Sequence, residues 1–418
     1  MSDERVSCRA CGSGGLITVL SLGATPLANA LLTREQLDHP EPRYPLVLAF
    51  CQTCTLVQIT ETVPPETLFR EYVYFSSVSE ALVRHAEENV RNLISSRNLG
   101  RGSMVIEVAS NDGYLLQHYR RAGIPVLGIE PAMNIARAAE EKGIRTLCEF
   151  FGAELARQLA AQGYRADVIH ANNVLAHVAD LNGVVDGITL LLKDDGVAVI
   201  EVPYVKDLID GVEFDTIYHE HLCYFSFTAL ERLFRRHRLA IVDVQRLSIH
   251  GGSLRIFATR SDAVSCPGDN ARTTRQLLAE EADWGVDNPV FYSAFGASVE
   301  RLRHQLLTLL RGLKAEGKRI AAYGASAKGS TLLNYCGIGR ETLEFVVDRS
   351  KVKQGRFTPG THLHIEATER LVELMPDYVL LLTWNFVQEI LTQQAEYLQR
   401  GGRFITPLPD PQITEWAG

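Results

Sequence analysis

The chain has 418 residues, 46% of them hydrophobic and 22% charged, a composition typical of a globular protein with two or three domains. The net charge is −8 and no lysine or arginine block is present, so we expect no nucleic acid partner. Apolar runs are too short to span a membrane, and the N-terminal segment MSDERVSCRACG lacks the apolar core of a signal peptide. We therefore expect a cytoplasmic protein without a membrane partner.

Four of the eight cysteines form two CxxC pairs, 8-CRAC-11 and 51-CQTC-54. In a reducing compartment such pairs are typical of metal ligands, because each tight turn aims two thiolates at one point. A redox dithiol is the alternative. We predict a structural Zn²⁺ site without an open position for substrate, with the ligands Cys8, Cys11, Cys51 and Cys54. The insertion between the two pairs contains 22-LGATPLANALL-32.

The middle of the chain alternates between helical and strand patterns. A helix at about 79–95 precedes predicted strands at 104–110, 125–131, 167–175 and 197–203, which are separated by helices at about 113–122, 133–142, 152–162 and 181–192. Apolar strands between amphipathic helices indicate a parallel sheet that is covered on both faces. Two further strands, 239–247 and 252–260, are too close for a crossover helix and predict an antiparallel hairpin at the sheet edge.

The C-terminal part begins with a polar linker and helix at 262 to about 316. A second α/β unit opens at 318-KRIAAYGASAKGSTLLNY-335, and its later strands are predicted within 343–350, 378–384 and 403–409. The predicted fold is therefore α/β with three domains. They are a small zinc-binding domain (1–72), an α/β domain with a parallel sheet (73–262), and linker helices with a C-terminal α/β domain (263–418).

The stretch 106-IEVASNDGYLL-116 runs from a strand through a small polar turn into a helix, which is where α/β sheets bind ligands. Dinucleotide fingerprints have three glycines here, whereas this turn has one and is flanked by acids. Carboxylates suit an amine and a sulfonium better than a pyrophosphate, and an acid at the next strand end can accept both ribose hydroxyls. The pattern favours S-adenosylmethionine, and the expected binding residues are Glu107, Ser110, Asn111, Asp112, Gly113, Glu130, Asn172 and Asn173.

The stretch 216-TIYHEHLCYFS-226 contains two histidines around a glutamate. It follows the strand that ends at 203, so we expect a loop over the cofactor crevice. In an extended conformation His219 and His221 would share one face, with Tyr218 and Glu220 on the other. A metal site and a buried polar segment are possible, but an acid–base pair suits this place best, because histidine accepts protons near neutral pH.

These motifs occur together and in order: CxxC…CxxC with LGATPLANALL, then EVASNDGYLL, NNVLAHV, TIYHEHLCYFS, HGGSLR and YGASAKG. Over essentially its whole length the chain resembles the zinc-containing C-methyltransferases that act on nucleotide-linked 4-keto-deoxysugars. The resemblance implies that 73–262 is a Rossmann-like methyltransferase domain and that 263–418 contains a Rossmann-like α/β domain that helps to bind the sugar nucleotide. It also implies methyl transfer from S-adenosylmethionine to C-3 of a nucleotide-linked 4-keto-6-deoxysugar, in the thymidine diphosphate form. A base removes the acidic hydrogen at C-3, and the enolate attacks the methyl group.

The resemblance also implies site residues. His221 is the expected base, with Glu220 as its partner or as the alternative base, while Tyr218 and His177 hydrogen-bond the C-4 oxygen. The expected substrate-binding residues are Tyr72, Tyr74, His250, Ser253, Ser326 and Lys328. Domain packing could instead explain the two tyrosines, an edge-strand bulge could explain 250-HGGSLR-255, and helix capping could explain Ser326. We expect Cys223 to be a neutral buried thiol.

Two other functions remain possible at this point. An NAD-dependent sugar-nucleotide oxidoreductase or epimerase would use 320–348 as its dinucleotide site, with Asp348 on the ribose, but the spaced glycines and a Tyr-x-x-x-Lys pair are missing. A non-enzymatic scaffold with a zinc domain is the second. Because three domains can close their own clefts, we expect a monomer.

Overall fold

The computed structural model describes residues 6–69, 75–263 and 271–414. The N-terminal part is an antiparallel sheet with one short helix: β1 (Ile17–Thr25), β2 (Tyr44–Phe50), β3 (Val57–Ile59) and α1 (Pro65–Phe69). A fourth strand at Cys223–Tyr224 comes from the middle of the chain and pairs with β3. The N-terminal sheet is therefore completed by a segment that lies far away in the sequence.

The four predicted zinc ligands lie together beside this sheet. The Sγ atoms of Cys8 and Cys54 are 3.4 Å apart, those of Cys11 and Cys51 are 3.6 Å apart, and all four lie within 4.8 Å of one another. Tetrahedral zinc with bonds of about 2.3 Å separates its thiolates by about 3.8 Å. The cluster therefore has the size and the donor set of a zinc site.

The middle part has the predicted alternation of strands and helices. Its elements are α2 (Glu80–Ser96), β4 (Val105–Val108), α3 (Leu116–Arg121), β5 (Val126–Ile129), α4 (Met133–Glu141), β6 (Thr146–Leu147), α5 (Ala153–Ala161), β7 (Ala166–Asn172), α6 (Leu181–Leu191), β8 (Leu192–Pro203), α7 (Val205–Asp210), β9 (Cys223–Tyr224), α8 (Phe227–Arg236), β10 (Leu239–Leu247) and β11 (Ser253–Arg260). The seven-stranded sheet has the order β10-β11-β8-β7-β4-β5-β6. Its β4–β8 strands are parallel, and β10 and β11 form the predicted antiparallel edge hairpin.

Both faces of this sheet are covered, which explains the unbroken apolar strands. On one face Val105, Val168 and Val197 pack with apolar residues of α2 and α3, and on the other Ile106 and Ile169 pack with the core that includes α6. Alternate residues of a strand point to opposite faces of the sheet, so a strand that is apolar at every position is buried on both faces. The sequence pattern thus predicted the sheet type correctly.

The C-terminal part is a second, smaller α/β unit behind two long helices. Its elements are α9 (Ala271–Trp284), α10 (Pro289–Ala315), β12 (Ile320–Tyr323), α11 (Ala327–Cys336), β13 (Val346–Val347), β14 (Ile365–Glu366), α12 (Arg370–Leu374), β15 (Tyr378–Leu381), α13 (Val387–Gln393), α14 (Ala395–Gln399), β16 (Arg403–Thr406) and β17 (Gln412–Thr414). The strand order is β14-β13-β12-β15-β16-β17, and all pairs are parallel except the last.

The two long helices join the three parts. Glu281 of α9 accepts hydrogen bonds from the main-chain N–H groups of Phe227 and Thr228 at 2.6 and 2.7 Å, at the start of α8. Helix α10 lies against β1, where a Cβ atom on Gly296 would stand 2.9 Å from the main-chain oxygen of Val19. Glycine therefore sets how closely this helix approaches the N-terminal sheet.

The structure confirms the predicted α/β fold with its zinc-type cysteine cluster. The domain boundaries remain predictions, because residue 72 and residues 264–270 lie outside the described residues. Tyr72 and Tyr74 lie outside them as well. Within the described residues, the helices are too short or too polar to cross a lipid bilayer.

We expect the purified protein to contain about one zinc ion per chain, because all four thiolates converge on one point. Cys51→Ser should abolish stoichiometric zinc, measured by mass spectrometry of the metal, and should lower the free energy of unfolding by several kcal/mol, since structural zinc contributes directly to folding. Cys336→Ala, which removes a buried thiol outside the cluster, is the control and should retain zinc. Full zinc content in Cys51→Ser would contradict the assignment.

Candidate functional site

The turn after β4 is held in an unusual conformation. Ala109, Asn111 and Gly113 have φ angles of 50°, 48° and 76°, the left-handed region that costs residues other than glycine about 1–2 kcal/mol each. At Gly113 a Cβ atom would stand 2.8 Å from Cγ1 of Ile144, so the glycine is needed for space as well as for φ. Such strain is typical of segments that present main-chain groups to a ligand.

Two buried carboxyl groups flank this turn. Glu107 on β4 is 1% exposed, and burial raises its pKa well above the ordinary value, with a further rise from the nearby acids Glu130 and Asp112. Burial also raises the pKa of Glu130, although its carboxylate accepts hydrogen bonds from the N–H groups of Asn111 and Ala132 at 3.0 and 2.9 Å. Both acids therefore lie in an environment that favours a positively charged or hydrogen-bond-donating ligand.

Asp112 and Asn111 of the same turn make contacts within the protein. The Asp112 carboxylate forms an ion pair of 2.7 Å with Lys142 and accepts a hydrogen bond from the Ser77 hydroxyl. The Asn111 side-chain oxygen accepts a bond of 2.8 Å from the main-chain N–H of Ser76. These contacts place the segment before α2 beside the crevice, and they occupy side chains that we expected to face the cofactor.

Three buried polar atoms at the crevice make no hydrogen bond to any described residue: Oε2 of Glu107, Oγ of Ser110 and Oδ1 of Asn172. Buried acceptors without partners are costly unless a ligand satisfies them. Ser110 also explains a glycine in β5, because a Cβ atom on Gly128 would stand 2.4 Å from its Oγ. Asn173, which follows Asn172, has a φ of 56°, and its main-chain N–H donates to the main-chain oxygen of Glu201 at 2.8 Å. The open acceptors fit the amine and hydroxyl groups of S-adenosylmethionine.

The segment 218-YHEH-221 forms a tight turn, so the alternation expected of an extended segment is not observed. The N–H of His221 donates to the main-chain oxygen of Tyr218 at 2.8 Å, which brings the two side chains to one side. Nδ1 of His221 lies 2.9 Å from the main-chain carbonyl oxygen of Thr216, and Nε2 lies 2.9 Å from the Tyr218 hydroxyl. A carbonyl oxygen can only accept, so Nδ1 carries the hydrogen and the lone pair of neutral His221 is on Nε2.

His177 lies next to this pair. Its ring centroid is 4.7 Å from that of His221, with the rings nearly perpendicular at 72°. Burial lowers the pKa of His177 to about 4, despite a hydrogen bond to the main chain of Glu220. Nδ1 of His177 makes no hydrogen bond to any described residue. His177 is therefore neutral at physiological pH, with its hydrogen on the nitrogen that bonds the Glu220 main chain and a lone pair on the open Nδ1.

The other two side chains of the turn point towards the N-terminal part. Nε2 of His219 donates to the Pro45 oxygen at 3.1 Å, and burial lowers the pKa of His219. The Glu220 carboxylate accepts a hydrogen bond of 2.7 Å from the side-chain amide of Asn29. The four thiols are the one possible metal-ligand cluster among the described residues, so a metal site at this turn has no support.

A charged cluster lies between the turn and the C-terminal part. Nζ of Lys328 is buried and makes no hydrogen bond to any described residue. It lies 4.6 Å from the ring centroid of Trp384. The Trp384 indole N–H donates to Asp215 at 2.7 Å. Burial raises the pKa of Glu213 to about 8 and also raises that of Asp215, while Lys328 opposes both shifts. Nζ of Lys328 is thus buried near two acids without a hydrogen bond to either.

The remaining predicted residues make local contacts. Ser326 caps α11, where its Oγ accepts from the Gly329 N–H at 3.1 Å. Ser253 is 1% exposed and donates to the Ile249 oxygen at 3.1 Å, and the side chain of His250 lies outside the described residues. Burial raises the pKa of Cys223 to about 12, as expected for a neutral thiol.

Sequence reasoning gave no role to Asn29, Asp215 or Trp384. Asn29 stood in a quoted motif, 22-LGATPLANALL-32, but its partner is distant in the sequence. Asp215 directly precedes the quoted 216–226 stretch, and no pattern pairs it with Trp384. Contacts of this kind follow from how the three parts pack, which a local pattern does not contain.

Three family models match successive parts of the chain. They are described as "Putative zinc binding domain" (residues 8–69), "Methyltransferase domain" (residues 81–244) and "C-methyltransferase C-terminal domain" (residues 248–409). The zinc-binding match contains both CxxC pairs, and the methyltransferase match contains the strained turn and the 218–221 turn.

Known proteins are similar to different extents of the chain. The C-methyltransferase NovU of Streptomyces niveus is 37% identical over 97% of this chain and 96% of its own length. A ubiquinone biosynthesis O-methyltransferase of Azorhizobium caulinodans is 34% identical over 25% of this chain and 40% of its own length. The structure of magnesium protoporphyrin IX methyltransferase from Synechocystis PCC 6803 with bound SAM covers 43% of this chain and 79% of its own, at 15% identity and a TM-score of 0.34.

Membership of a methyltransferase family along nearly the whole chain decides against both the NAD-dependent oxidoreductase and the non-enzymatic scaffold. The open acceptors at the crevice and the four clustered thiols agree with its two cofactors, S-adenosylmethionine and zinc. The chain belongs to the C-methyltransferase family and is an S-adenosylmethionine-dependent C-methyltransferase.

Proposed function

We propose that this enzyme methylates C-3 of a nucleotide-linked 4-keto-6-deoxysugar, with thymidine diphosphate as the nucleotide. The observation that supports this most is the arrangement of His221, Tyr218 and His177. One imidazole has its Nε2 lone pair fixed beside a phenol, and a neutral second imidazole lies against it. Proton abstraction next to a ketone needs such a base together with hydrogen-bond donors for the enolate oxygen.

His221 takes the proton in the proposed first step. The C-3–H bond breaks, its proton moves to Nε2, and its electron pair forms the enolate, which places negative charge on the C-4 oxygen. The bond from Nδ1 to the Thr216 oxygen keeps the ring oriented and stabilises the imidazolium. The Tyr218 hydroxyl turns its hydrogen from Nε2 to the C-4 oxygen, which frees the lone pair for the incoming proton.

His177 and Glu220 assist in this scheme. His177 can donate to the C-4 oxygen from its open Nδ1 only as the tautomer with the hydrogen on that nitrogen, so in this scheme its bond to the Glu220 main chain is released when the sugar binds. The Glu220 side chain points towards Asn29, but its negative charge favours the cationic form of the His221 imidazole. S-adenosylmethionine supplies the methyl group when bound, and the expected binding residues are those of the crevice: Glu107, Ser110, Asn111, Asp112, Gly113, Glu130, Asn172 and Asn173. The enolate electrons would form the new carbon–carbon bond as the methyl–sulfur bond breaks, with its electron pair left on the sulfur of the product S-adenosylhomocysteine. The ketone is then restored, and His221 releases its proton to solvent.

For the sugar nucleotide we propose a site between the middle and C-terminal parts. Lys328 and the main-chain N–H groups at the start of α11 would bind the pyrophosphate, because a buried ammonium and a helix N-terminus both favour an anion. Ser326 would contribute beyond its capping role, and Tyr72, Tyr74, His250 and Ser253 would line the sugar. We further propose that the zinc is structural and that the enzyme acts as a cytoplasmic monomer.

Calorimetric titration is the first test of the two ligands. We expect the protein to bind S-adenosylmethionine, and then thymidine diphosphate in the cofactor's presence. Asn172→Ala should weaken cofactor binding about 10-fold or more, since hydrogen bonds to charged groups contribute roughly 1.5–3 kcal/mol. Lys328→Met should weaken the binding of thymidine diphosphate and leave the binding of S-adenosylmethionine unchanged. Cofactor binding without nucleotide binding would refute the thymidine diphosphate sugar.

Substitution of the turn tests the chemistry. His221→Asn keeps a donor for the Thr216 oxygen but has no basic nitrogen, so kcat should fall roughly 10²- to 10⁴-fold while affinity for S-adenosylmethionine is unchanged. Exchange of the C-3 hydrogen with deuterated water should fall in parallel. Glu220→Gln should also lower kcat, because it removes the charge that favours the imidazolium. Unchanged rates in both variants would remove the turn from the mechanism.

The position of the new methyl group needs a direct measurement. A 4-ketone acidifies the hydrogens on both of its neighbouring carbons, C-3 and C-5. Methylation with labelled S-adenosylmethionine and a panel of thymidine diphosphate-linked 4-keto-6-deoxysugars, followed by NMR, will locate the carbon. A signal at C-3 is the expected result, and a signal at C-5 would refute the C-3 assignment while leaving the base chemistry intact.

A further inference from the structure

We infer that Asn29 is a positioning residue for methyl transfer, and that the zinc-binding part takes part in the reaction through it. Its side-chain amide holds the carboxylate of Glu220 in the turn that carries His221. The inference rests on the proposed function, because it needs the 218–221 turn to be part of the active site. It assigns a positioning role in the reaction to the segment between the two CxxC pairs, whose other contacts are structural.

The contact itself has the geometry of a strong hydrogen bond. Nδ2 of Asn29 lies 2.7 Å from Oε1 of Glu220, although the residues are 191 positions apart. Glu220 is 4% exposed, so its carboxylate depends on protein donors. A neutral amide can bind this carboxylate in one direction only, with its N–H groups towards the oxygen. Asn29 therefore selects one orientation of a side chain that has several rotatable bonds.

The segment around Asn29 is held from two sides. The main-chain oxygen of Asn29 accepts a hydrogen bond of 2.9 Å from the N–H of Leu31. Leu32 and Phe357 exchange two main-chain hydrogen bonds of 2.9 Å each, which tie the segment to the C-terminal part. An amide on so well-fixed a backbone can hold its partner in place, which a residue on a free loop cannot.

The turn is attached to the cysteine knuckles by a short chain of hydrogen bonds. The side-chain oxygen of Gln58 accepts a bond of 2.8 Å from the N–H of Arg9, inside the first CxxC motif. The main chain of Gln58 pairs with Cys223 in the β3–β9 ladder, directly after the turn. In the second knuckle, the N–H of Cys51 donates to the Leu56 oxygen at 2.9 Å. Zinc therefore stabilises the strand to which the turn is bound, and Asn29 then orients one side chain of that turn.

The test is a double-mutant cycle in kcat on the full-length zinc-loaded enzyme, with the panel of thymidine diphosphate-linked 4-keto-6-deoxysugars as substrates. Asn29→Ala should lower kcat about 10- to 100-fold, because a small misplacement of a catalytic group has effects of that size. The KM for S-adenosylmethionine should stay within about twofold, since the crevice is untouched. In a Glu220→Gln background, Asn29→Ala should cause no further loss of kcat.

Two further variants separate positioning from general damage. Gln36→Ala removes a hydrogen bond of 2.8 Å to the N–H of Thr33 in the same insertion, away from the turn, and should leave kcat unchanged. Asn29→Asp opposes two carboxylates and should lower kcat at least as much as Asn29→Ala. Adding Glu220→Gln to Asn29→Asp restores a donor–acceptor pair and should recover kcat to the level of Glu220→Gln alone.

The outcomes distinguish this inference from the proposed function. Wild-type kcat in Asn29→Ala, or an equal loss in both backgrounds, would overturn the positioning role and leave the proposed function standing if Glu220→Gln is impaired. Full activity of Glu220→Gln would overturn the positioning role together with the proposed part of Glu220. Absence of methyl transfer by the wild-type enzyme to every sugar would refute the proposed function and, with it, this inference.

Discussion

The pairing of β3 with β9 is the contact on which the position of the 218–221 turn depends. Only two residue pairs form it, Val57 with Tyr224 and Gln58 with Cys223. Yet it fixes the end of the 218–221 turn against a sheet that the cysteine cluster holds together. A two-residue ladder has little stability of its own, so its neighbours must supply the rest. Two neighbouring main-chain hydrogen bonds contribute, from the N–H of Leu222 to the oxygen of Ala176 and from the N–H of Ile59 to the oxygen of Leu222.

A second constraint is that several acidic side chains are buried at the two places where we expect ligands to bind. Glu107, Glu130, Glu213 and Asp215 are all buried acids whose pKa values burial raises. In surroundings of low polarity each such group is costly without a partner and interacts strongly with one. The fold therefore gives up stability at the crevice and at the interface with the C-terminal part, which is what pre-formed binding sites require.

Much of the fold was predictable because its dominant signal is local. Strands such as 239–247, and helices such as 181–191, have apolar patterns that are set by burial on one or both faces. The paired thiols were equally clear. By contrast, strands β1, β2, β3 and β9 were not predicted. Strand β9 is only two residues long and its partner β3 is distant in sequence, whereas β2 and β3 are neighbours along the chain. The turn at 218–221 was considered as an extended segment, and the hydrogen bond that closes it has no sequence pattern.

The site was predictable by residue type but not by contact. His221 and Tyr218 stand together, although an extended segment would have placed them on opposite faces, while Asp112 pairs with Lys142 and the Ser326 hydroxyl caps a helix. Polar residues at a strand end can serve a ligand or the protein itself, and only the packing of neighbouring segments decides which. The roles of these residues in binding therefore remain predictions.

The insertion between the CxxC pairs has a consequence for how such enzymes can be recombined. Because the N-terminal sheet includes β9 and Asn29 reaches Glu220, the methyltransferase part is not a self-contained module. A chimera that joins the zinc-binding part of one parent to the remainder of another would have a mismatched interface beside the 218–221 turn. Exchange of substrate range between relatives should therefore keep residues 8–69 and 204–226 from the same parent, and place crossovers elsewhere.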